Sequence, residues 1–461
     1  MTYRGYEAIK DLSKGTGYRI PDLLALAQQN DPFYAGSPAQ RAKAEWFAEL
    51  WQRFGYSGGV HLRRIHYRIL SDANRAKHDG EPYQNTEACW DYLNAASRAA
   101  RYLGLVSIDL FDDHRNPEAY INAGGATREQ EPEWWGGGAS GWALPEIPTD
   151  LAADLDFSVY PPAVGGYDYS EDDQPYLLEV WVEKSTMDDV LLPVCRRLGA
   201  NLSTSVGFQS ITRVRDLLQR VARTGKPARV FYVSDYDPAG VSMPVQVARQ
   251  VEYWLADYAP GADVKLTPLV LTYEQVRSYR LPRVPVKDTD RRKANFEERY
   301  GEGAVELDAL EGLYPGQLAG IVQRAINPYR DETLARRLRQ AQEEARNIVS
   351  EEWGEVVDPH KQELQNLERQ AAAIVGAYRQ ELTTLARRLA GELEPIREQL
   401  EALQQAINNA VDDLEIALPE RPTVDVDPPD EGAWLFDSGR NYLEQIAVYK
   451  AYRDGSAAEA A

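Results

Sequence analysis

The sequence predicts a mixed α/β chain with an additional helical arm. Three observations lead there. Residues 176–272 alternate strand-like apolar runs with helix-period repeats, residues 46–102 carry short helical patterns, and apolar residues from Leu364 to Leu414 recur at steps of three and four. A length of 461 residues suggests two to four folded units. The expected order is an extension (1–45), a small helical domain (46–120), an acidic Gly/Pro-rich linker (121–175), an α/β domain (176–330), a coiled-coil-like helical region (331–418), and an acidic linker with a closing helix (419–461).

The extension reads as irregular and ends in DPFYAGSPAQ, whose Ser-Pro step signals a helix start. In AQRAKAEWFAELWQRFG, residues Trp46, Phe47, Leu50, Trp51 and Phe54 share helical spacing, and Gly55 stops the run. HLRRIHYRILSD is a second helical pattern. TEACWDYLNAASRAARYLG is a third, capped by Thr86 and ended by Gly104. LVSIDLF then reads as a short strand. Three short helices and an extended wing fit a winged-helix domain of the DNA-binding kind, and a plain three-helix bundle fits as well.

Within 176–272, YLLEVWVE, ANLSTSVGF, ARVFYVSD and KLTPLVLT read as strands. The helices between them close at Gly199 and Gly225. This βαβαβαβ order predicts a parallel sheet with helices on its faces. In the helical region, Leu364, Leu367, Ala371, Ile374, Tyr378, Leu382, Leu385, Leu389, Leu393, Ile396, Leu400, Leu403, Ile407, Val411 and Leu414 form a heptad-like seam. Pro395 is expected to mark the bend of a helical hairpin or to kink one long helix.

Hydrophobic residues make up 43% of the chain and charged residues 27%, as in an ordinary soluble protein. No stretch has the ~20 apolar residues that span a bilayer, and the first residues lack a signal-peptide pattern. Cys89 and Cys195 lie far apart, which argues against a disulfide framework or zinc site and suits a reducing cytoplasm. The net charge of −21 weighs against a nucleic-acid partner. Between Glu131 and Val180, however, there are eleven acids and no Lys or Arg, whereas Arg53 to Arg101 is locally basic. Binding follows the local field more than the sum.

In an open parallel sheet, ligands gather at the carboxyl ends of the strands. Glu183 ends the first strand, and Asp235 and Asp237 end the third. Residues i and i+2 on an extended chain project to the same side, so the two aspartates aim at one point and Glu183 reaches it from a neighbouring strand. Three converging carboxylates repel, and a hard divalent cation such as Mg²⁺ resolves that repulsion with oxygen ligands and retained waters.

The strings Val182-Glu183-Lys184 and Asp235-Tyr236-Asp237-Pro238-Ala239-Gly240, with Gly207 between them, resemble the Toprim domain, a parallel Rossmann-like sheet. The version most similar is that of the topoisomerase VI A subunit and the Spo11-like proteins of meiotic DNA breakage. By that resemblance Glu183, Asp235 and Asp237 bind Mg²⁺. Lys184 lies beside the site, as a DNA contact or as a surface ion pair. Gly207 permits close backbone approach or is a turn glycine. Glu306 and Asp308 are either supporting acids or part of a solvated loop. The same family places a winged helix before Toprim, with a motif to which Leu62-Arg63-Arg64-Ile65-His66-Tyr67 is similar. Tyr67 then falls on the nucleophile that attacks DNA and forms a 5′-phosphotyrosyl link. Arg63 and Arg64 assist it, and Arg63, Arg64, Arg68 and Lys184 are the DNA-binding candidates. Arg64 stands where an acid is usual and His66 where an aromatic is usual, and Tyr67 buried as core is the competing reading.

The resemblance implies a homodimer, since the tyrosine of one protomer meets the metal of the other, and a full topoisomerase also needs an ATPase partner encoded elsewhere. Two alternatives stay open: a Toprim nuclease that hydrolyses DNA with metal-activated water, of the kind found in plasmid defence, and a non-catalytic DNA-binding scaffold.

Overall fold

The computed structural model describes residues 5–111, 116–145, 155–205, 211–288, 290, 292–378, 386–429 and 434–455. The expectations placed on Gly207, Leu382 and Leu385 fall outside the described residues. The chain divides into two compact units. The first comprises 1–127, 171–331 and 426–461, and the second comprises 128–170 and 332–425. No helix among the described residues is long and apolar enough to cross a membrane.

In the first unit the N-terminal extension is not irregular. It begins with helix α1 (Gly5–Thr16), whose Ile9 and Leu12 are buried in the main core. Helices α2 (Pro38–Arg53), α3 (Leu62–Leu70) and α4 (Glu87–Tyr102) follow as expected, and Thr86 caps α4 by accepting from the Cys89 N–H at 3.3 Å. They enclose their own core of Phe47, Leu50, Ile65, Ile69, Leu93 and Ala96. The expected wing strand at Leu105–Phe111 is instead a 3₁₀ turn, Ile108–Leu110. The Ser107 hydroxyl accepts from the Asp109 N–H at 3.2 Å, a local bond that turns the backbone. Only a single bridge, Val60 to Phe111, remains of an extended pairing there.

The stretch 121–175, expected as a linker, contains a hairpin of β1 (Glu133–Ser140) and β2 (Ser158–Gly165), which belongs to the second unit. The first unit resumes with β3 (Leu177–Val182), α5 (Asp188–Arg197), β4 (Asn201–Thr204), α6 (Ile211–Thr224), β5 (Ala228–Val233), α7 (Met243–Tyr258) and β6 (Val264–Val270). The strands form a sheet in the order β4-β3-β5-β6, all parallel. Both faces are covered, so β3 and β5 are buried at every position and read as unbroken apolar runs. Leu177, Trp181, Val230 and Tyr232 face α6 and α7, whereas Val180, Val182, Phe231 and Val233 face α5. Short helices α8 (Tyr273–Ser278), α9 (Lys293–Tyr300), α10 (Leu307–Leu313) and α11 (Gln317–Ile326) complete the second face.

The second unit is built on α12 (Leu334–Tyr378) and α13 (Ala386–Asp412). A join of seven residues spans at most about 25 Å, so two long helices sharing a seam run antiparallel. The seam holds Leu367, Ala371 and Val375 against Leu389, Leu393, Ile396, Leu400, Leu403 and Ile407. Pro395 does not mark the bend, because it lies inside α13. Its neighbours Leu393 and Ile396 are both buried in the seam, and their burial outweighs the lost backbone bond. The hairpin is fixed to α13 by side-chain amides, with Asn408 Oδ1 accepting from the Ala139 N–H at 2.8 Å and Gln404 donating to its carbonyl at 3.1 Å.

The chain ends in the first unit. Strand β7 (Phe436–Asp437) adds antiparallel to β6, and α14 (Tyr442–Arg453) buries Tyr442, Ile446 and Tyr449. Both chain ends are held by one buried charge cluster. Arg249 of α7 donates to Asp31 at 3.0 Å, to Glu252 at 2.7 Å and to the Tyr442 hydroxyl at 3.0 Å, with its guanidinium 4.0 Å from the centre of the Phe33 ring. Asp31 also accepts from the N–H groups of Ala25, Leu26 and Phe33. The side chains of Arg249 and Asp31 are fully buried. Replacing Arg249 with Met leaves two carboxyl groups without their cation and is expected to cost about 3–5 kcal/mol. A urea titration reads this as a lower midpoint, and an unchanged midpoint would show that the cluster does not brace the termini.

Candidate functional site

The strand order places a topological switch between β3 and β5. From β3 the chain moves outward to β4, then crosses back to β5 on the other side. Crevices form at such a point, outside the carboxyl ends of the strands. The pairing of Val182 with Val233 brings the two ends level. Glu183 follows Val182, and its N–H donates to the Val233 carbonyl at 3.0 Å. Its carboxylate then accepts from the Asp235 N–H at 3.1 Å. The neighbouring-strand geometry expected for these acids is therefore present.

Asp235, Tyr236 and Asp237 alternate as an extended segment should. Tyr236 is buried among Phe296, Tyr300 and Tyr273 and pairs through its backbone with Val305. Asp235 is nearly buried, at 6% exposure. Its Oδ1 accepts from the Leu307 N–H at 2.8 Å, and its Oδ2 lies 2.7 Å from Lys184 Nζ. Asp237 is half-buried, and its Oδ1 accepts from the Gly240 N–H at 2.6 Å, closing the Asp-Pro-Ala-Gly turn. Gly240 is required by close approach: a Cβ there would stand 2.0 Å from the Asp235 carbonyl oxygen.

Two of the acids, Glu183 and Asp235, are shifted toward protonation. Burial, then Asp235 and Asp237, push the Glu183 carboxyl up to about 7. Burial also raises Asp235, against the opposing hydrogen bond from Lys184. Burial works against the Lys184 charge, but Asp235 and Glu306 outweigh it and hold the ammonium above its usual range. Lys184 lies beside the site and makes an ion pair to Asp235 within it. Its other partners are Glu306 at 3.2 Å and Asp308 at 3.4 Å. Those two acids flank Leu307, whose N–H holds Asp235, so the segment 305–308 is a strap across the site rather than a free loop. The alternation in Val-Glu-Leu-Asp was its only sequence signal.

The donor chemistry suits a hard cation. Glu183, Asp235 and Asp237 offer only oxygen, and Asp235 and Asp237 add to the burial that raises Glu183. Among the described residues, no three His, Cys, Asp or Glu side chains form a ready-made cage. The Lys184 ammonium occupies one oxygen of Asp235 instead.

Tyr67 is not core. It is 59% exposed on α3, while Ile65, His66 and Ile69 face inward. His66 is a satisfied core residue, bonded through Nδ1 to the Tyr83 hydroxyl at 2.7 Å and through Nε2 to Asn85 at 3.2 Å. Arg63, Arg64 and Arg68 are exposed beside Tyr67. Positions 63, 64, 67 and 68 span about 140° of a helix, so all four share one face. Among the described residues, no carboxylate pairs with Arg63, Arg64 or Arg68. The structure does not bring Tyr67 or these arginines into contact with Glu183, Asp235 or Asp237.

No protein-family model matches the chain, and no curated protein matches it.

A test follows from the Glu183 titration. Its carboxyl titrates near 7 in the folded chain against an ordinary 4.5. Between those values the folded state holds a proton that the unfolded state releases, so metal-free stability falls as pH rises. The fall amounts to about 2–3 kcal/mol, and Asp235 shifts in the same direction. Thermal melts in EDTA at pH 5 and pH 8 are expected to differ less for Glu183→Gln than for wild type. Identical differences would refute the assignment.

Proposed function

We propose that this chain is a Mg²⁺-dependent enzyme acting on the DNA backbone, similar to the topoisomerase VI A subunit, with a winged-helix-like DNA-binding domain ahead of a Toprim domain. The observation that supports the reading is the contact of Glu183 with Asp235 at the switch point, with Asp237 near enough to add to the rise of the Glu183 carboxyl. Those three residues would hold the metal, which supplies charge neutralisation at a phosphate when bound.

The exposed face of α3 is the DNA contact. Arg63, Arg64 and Arg68 bind backbone phosphates and favour the phenolate of Tyr67. The Tyr67 oxygen attacks phosphorus, the bond to the 3′ oxygen breaks, and the protein remains joined to the 5′ phosphate. The separation of Tyr67 from the acids within one chain supports a dimer in which each tyrosine serves the partner's acids. The charge balance agrees. In the second unit acids outnumber Lys and Arg by more than two to one, whereas the first unit is near parity. Most of the net charge of −21 thus belongs to the unit that does not contain the proposed DNA face. That same separation of Tyr67 is also what direct hydrolysis by a Toprim nuclease would need, with Tyr67 uninvolved.

Incubation with supercoiled plasmid and Mg²⁺, stopped with detergent, tests both readings. Asp235→Asn and Asp237→Asn are expected to lower cleavage about 100-fold or more while the fold survives. Wild-type rates in the double variant would end the metal-site reading. Tyr67→Phe is expected to abolish cleavage and the protein–DNA adduct together. Cleavage by that variant without adduct would assign the hydrolytic mechanism.

A further inference from the structure

Lys184 is the cation at which three chain segments meet. It follows Glu183 at the end of β3, touches Asp235 at the end of β5, and reaches Glu306 and Asp308 on the strap. The partners are unequal. The Asp235 side chain is 7% exposed and its contact is the shortest, at 2.7 Å, whereas the Glu306 and Asp308 side chains are 56% and 55% exposed. The buried pair is the strongly coupled one, and the solvated pairs are screened.

We propose that Lys184 is a tethered competitor for the divalent cation, neutralising Asp235 when no metal is bound and passing to Glu306 and Asp308 when metal arrives. The inference rests on the cation-site reading above. Oδ1 of Asp235 is engaged by the Leu307 N–H and Oδ2 by the ammonium. A divalent cation ligated by Asp235 therefore meets a like charge already on that carboxylate, and the two repel at contact distance. The ammonium has somewhere to go, because Glu306 and Asp308 are already within reach. The strap stays in place meanwhile, through the Tyr236–Val305 backbone pair and the Leu307 N–H. A charge is exchanged and no proton moves. Lys184 is a positioning residue in this scheme, and its removal strengthens metal binding.

Calorimetric titration of the EDTA-stripped full chain with MgCl₂ alone, without DNA, reads this directly. Lys184→Met is expected to bind Mg²⁺ about tenfold or more tightly than wild type, with Lys184→Gln as a second neutral variant should the first melt early. Lys184→Arg is expected to stay near wild type. Glu306→Gln with Asp308→Asn is expected to weaken binding several-fold, and to have no such effect when Lys184→Met is also present. If wild type binds Mg²⁺ and the neutral variants bind it equally or less tightly, the competitor role is overturned while the cation site stands. If loss of Glu306 and Asp308 weakens binding even with Met at 184, those acids act on the metal itself, and their role in receiving Lys184 is overturned. If neither wild type nor Lys184→Met binds Mg²⁺, the cation-site reading fails and this inference with it.

Discussion

The parallel pairing of β3 with β5 is the constraint on which the rest of the site depends. Its register sets Val182 beside Val233, so the residues leaving each strand arrive at the same level with their acids together. A parallel register slipped by one residue would turn every side chain of β3 to the other face. Trp181 would then lose its place in the core against α6 and α7, and Val180 and Val182 theirs against α5. The apolar packing of the two faces thus fixes where Glu183 stands relative to Asp235, and the proximity of two buried carboxylates is a consequence of hydrophobic burial elsewhere.

Charge inside the first unit is handled in two different ways. In the body of the sheet, Glu179 is fully buried but fully answered: Arg220 binds both its oxygens at 2.8–2.9 Å, and Asn201 and Trp181 donate as well. The Arg249 cluster joins Asp31, Glu252 and the Tyr442 hydroxyl to one guanidinium, and the Tyr449 hydroxyl donates to Glu252. At the switch point burial, with Asp235 and Asp237, pushes the Glu183 carboxyl up to about 7, and the Lys184 ammonium pairs with Asp235. Buried ion pairs that are complete hold segments together, and strongly perturbed carboxyls in a crevice mark a candidate functional site.

The second unit has a different physical basis. It is a two-helix seam with a hairpin laid on it, and its cohesion comes from aliphatic side chains and from two amides that capture the backbone of Ala139. Its surface is strongly acidic. That composition is repelled by a polyanion.

Much of the architecture was legible because it rests on local periodicity. Strands β3 and β5 show as unbroken apolar runs, α2 and α4 as helical repeats with caps, and the α12–α13 seam as heptads. The placement of Asp235 and Asp237 two apart at a strand end needed nothing beyond the period of an extended chain. What escaped was decided by partners far away in sequence. Asp31 lies in a segment with little pattern, and its burial depends on Arg249, 218 residues on. The hairpin in the Gly/Pro-rich stretch is ordered by Gln404 and Asn408. Pro395 reads as a bend, but the seam on both sides of it holds the helix through. Lys184 shows as a charge beside an acid, and its pairing with Glu306 lies 122 residues away. The sequence by itself determined most of the elements and which acids stand at the strand ends, since both depend on residue type and short spacing. Only the tertiary structure decided that Tyr67 faces outward, that the strap closes over Asp235, and that a lysine already holds the carboxylate a metal would need, because each depends on which distant surfaces pack together.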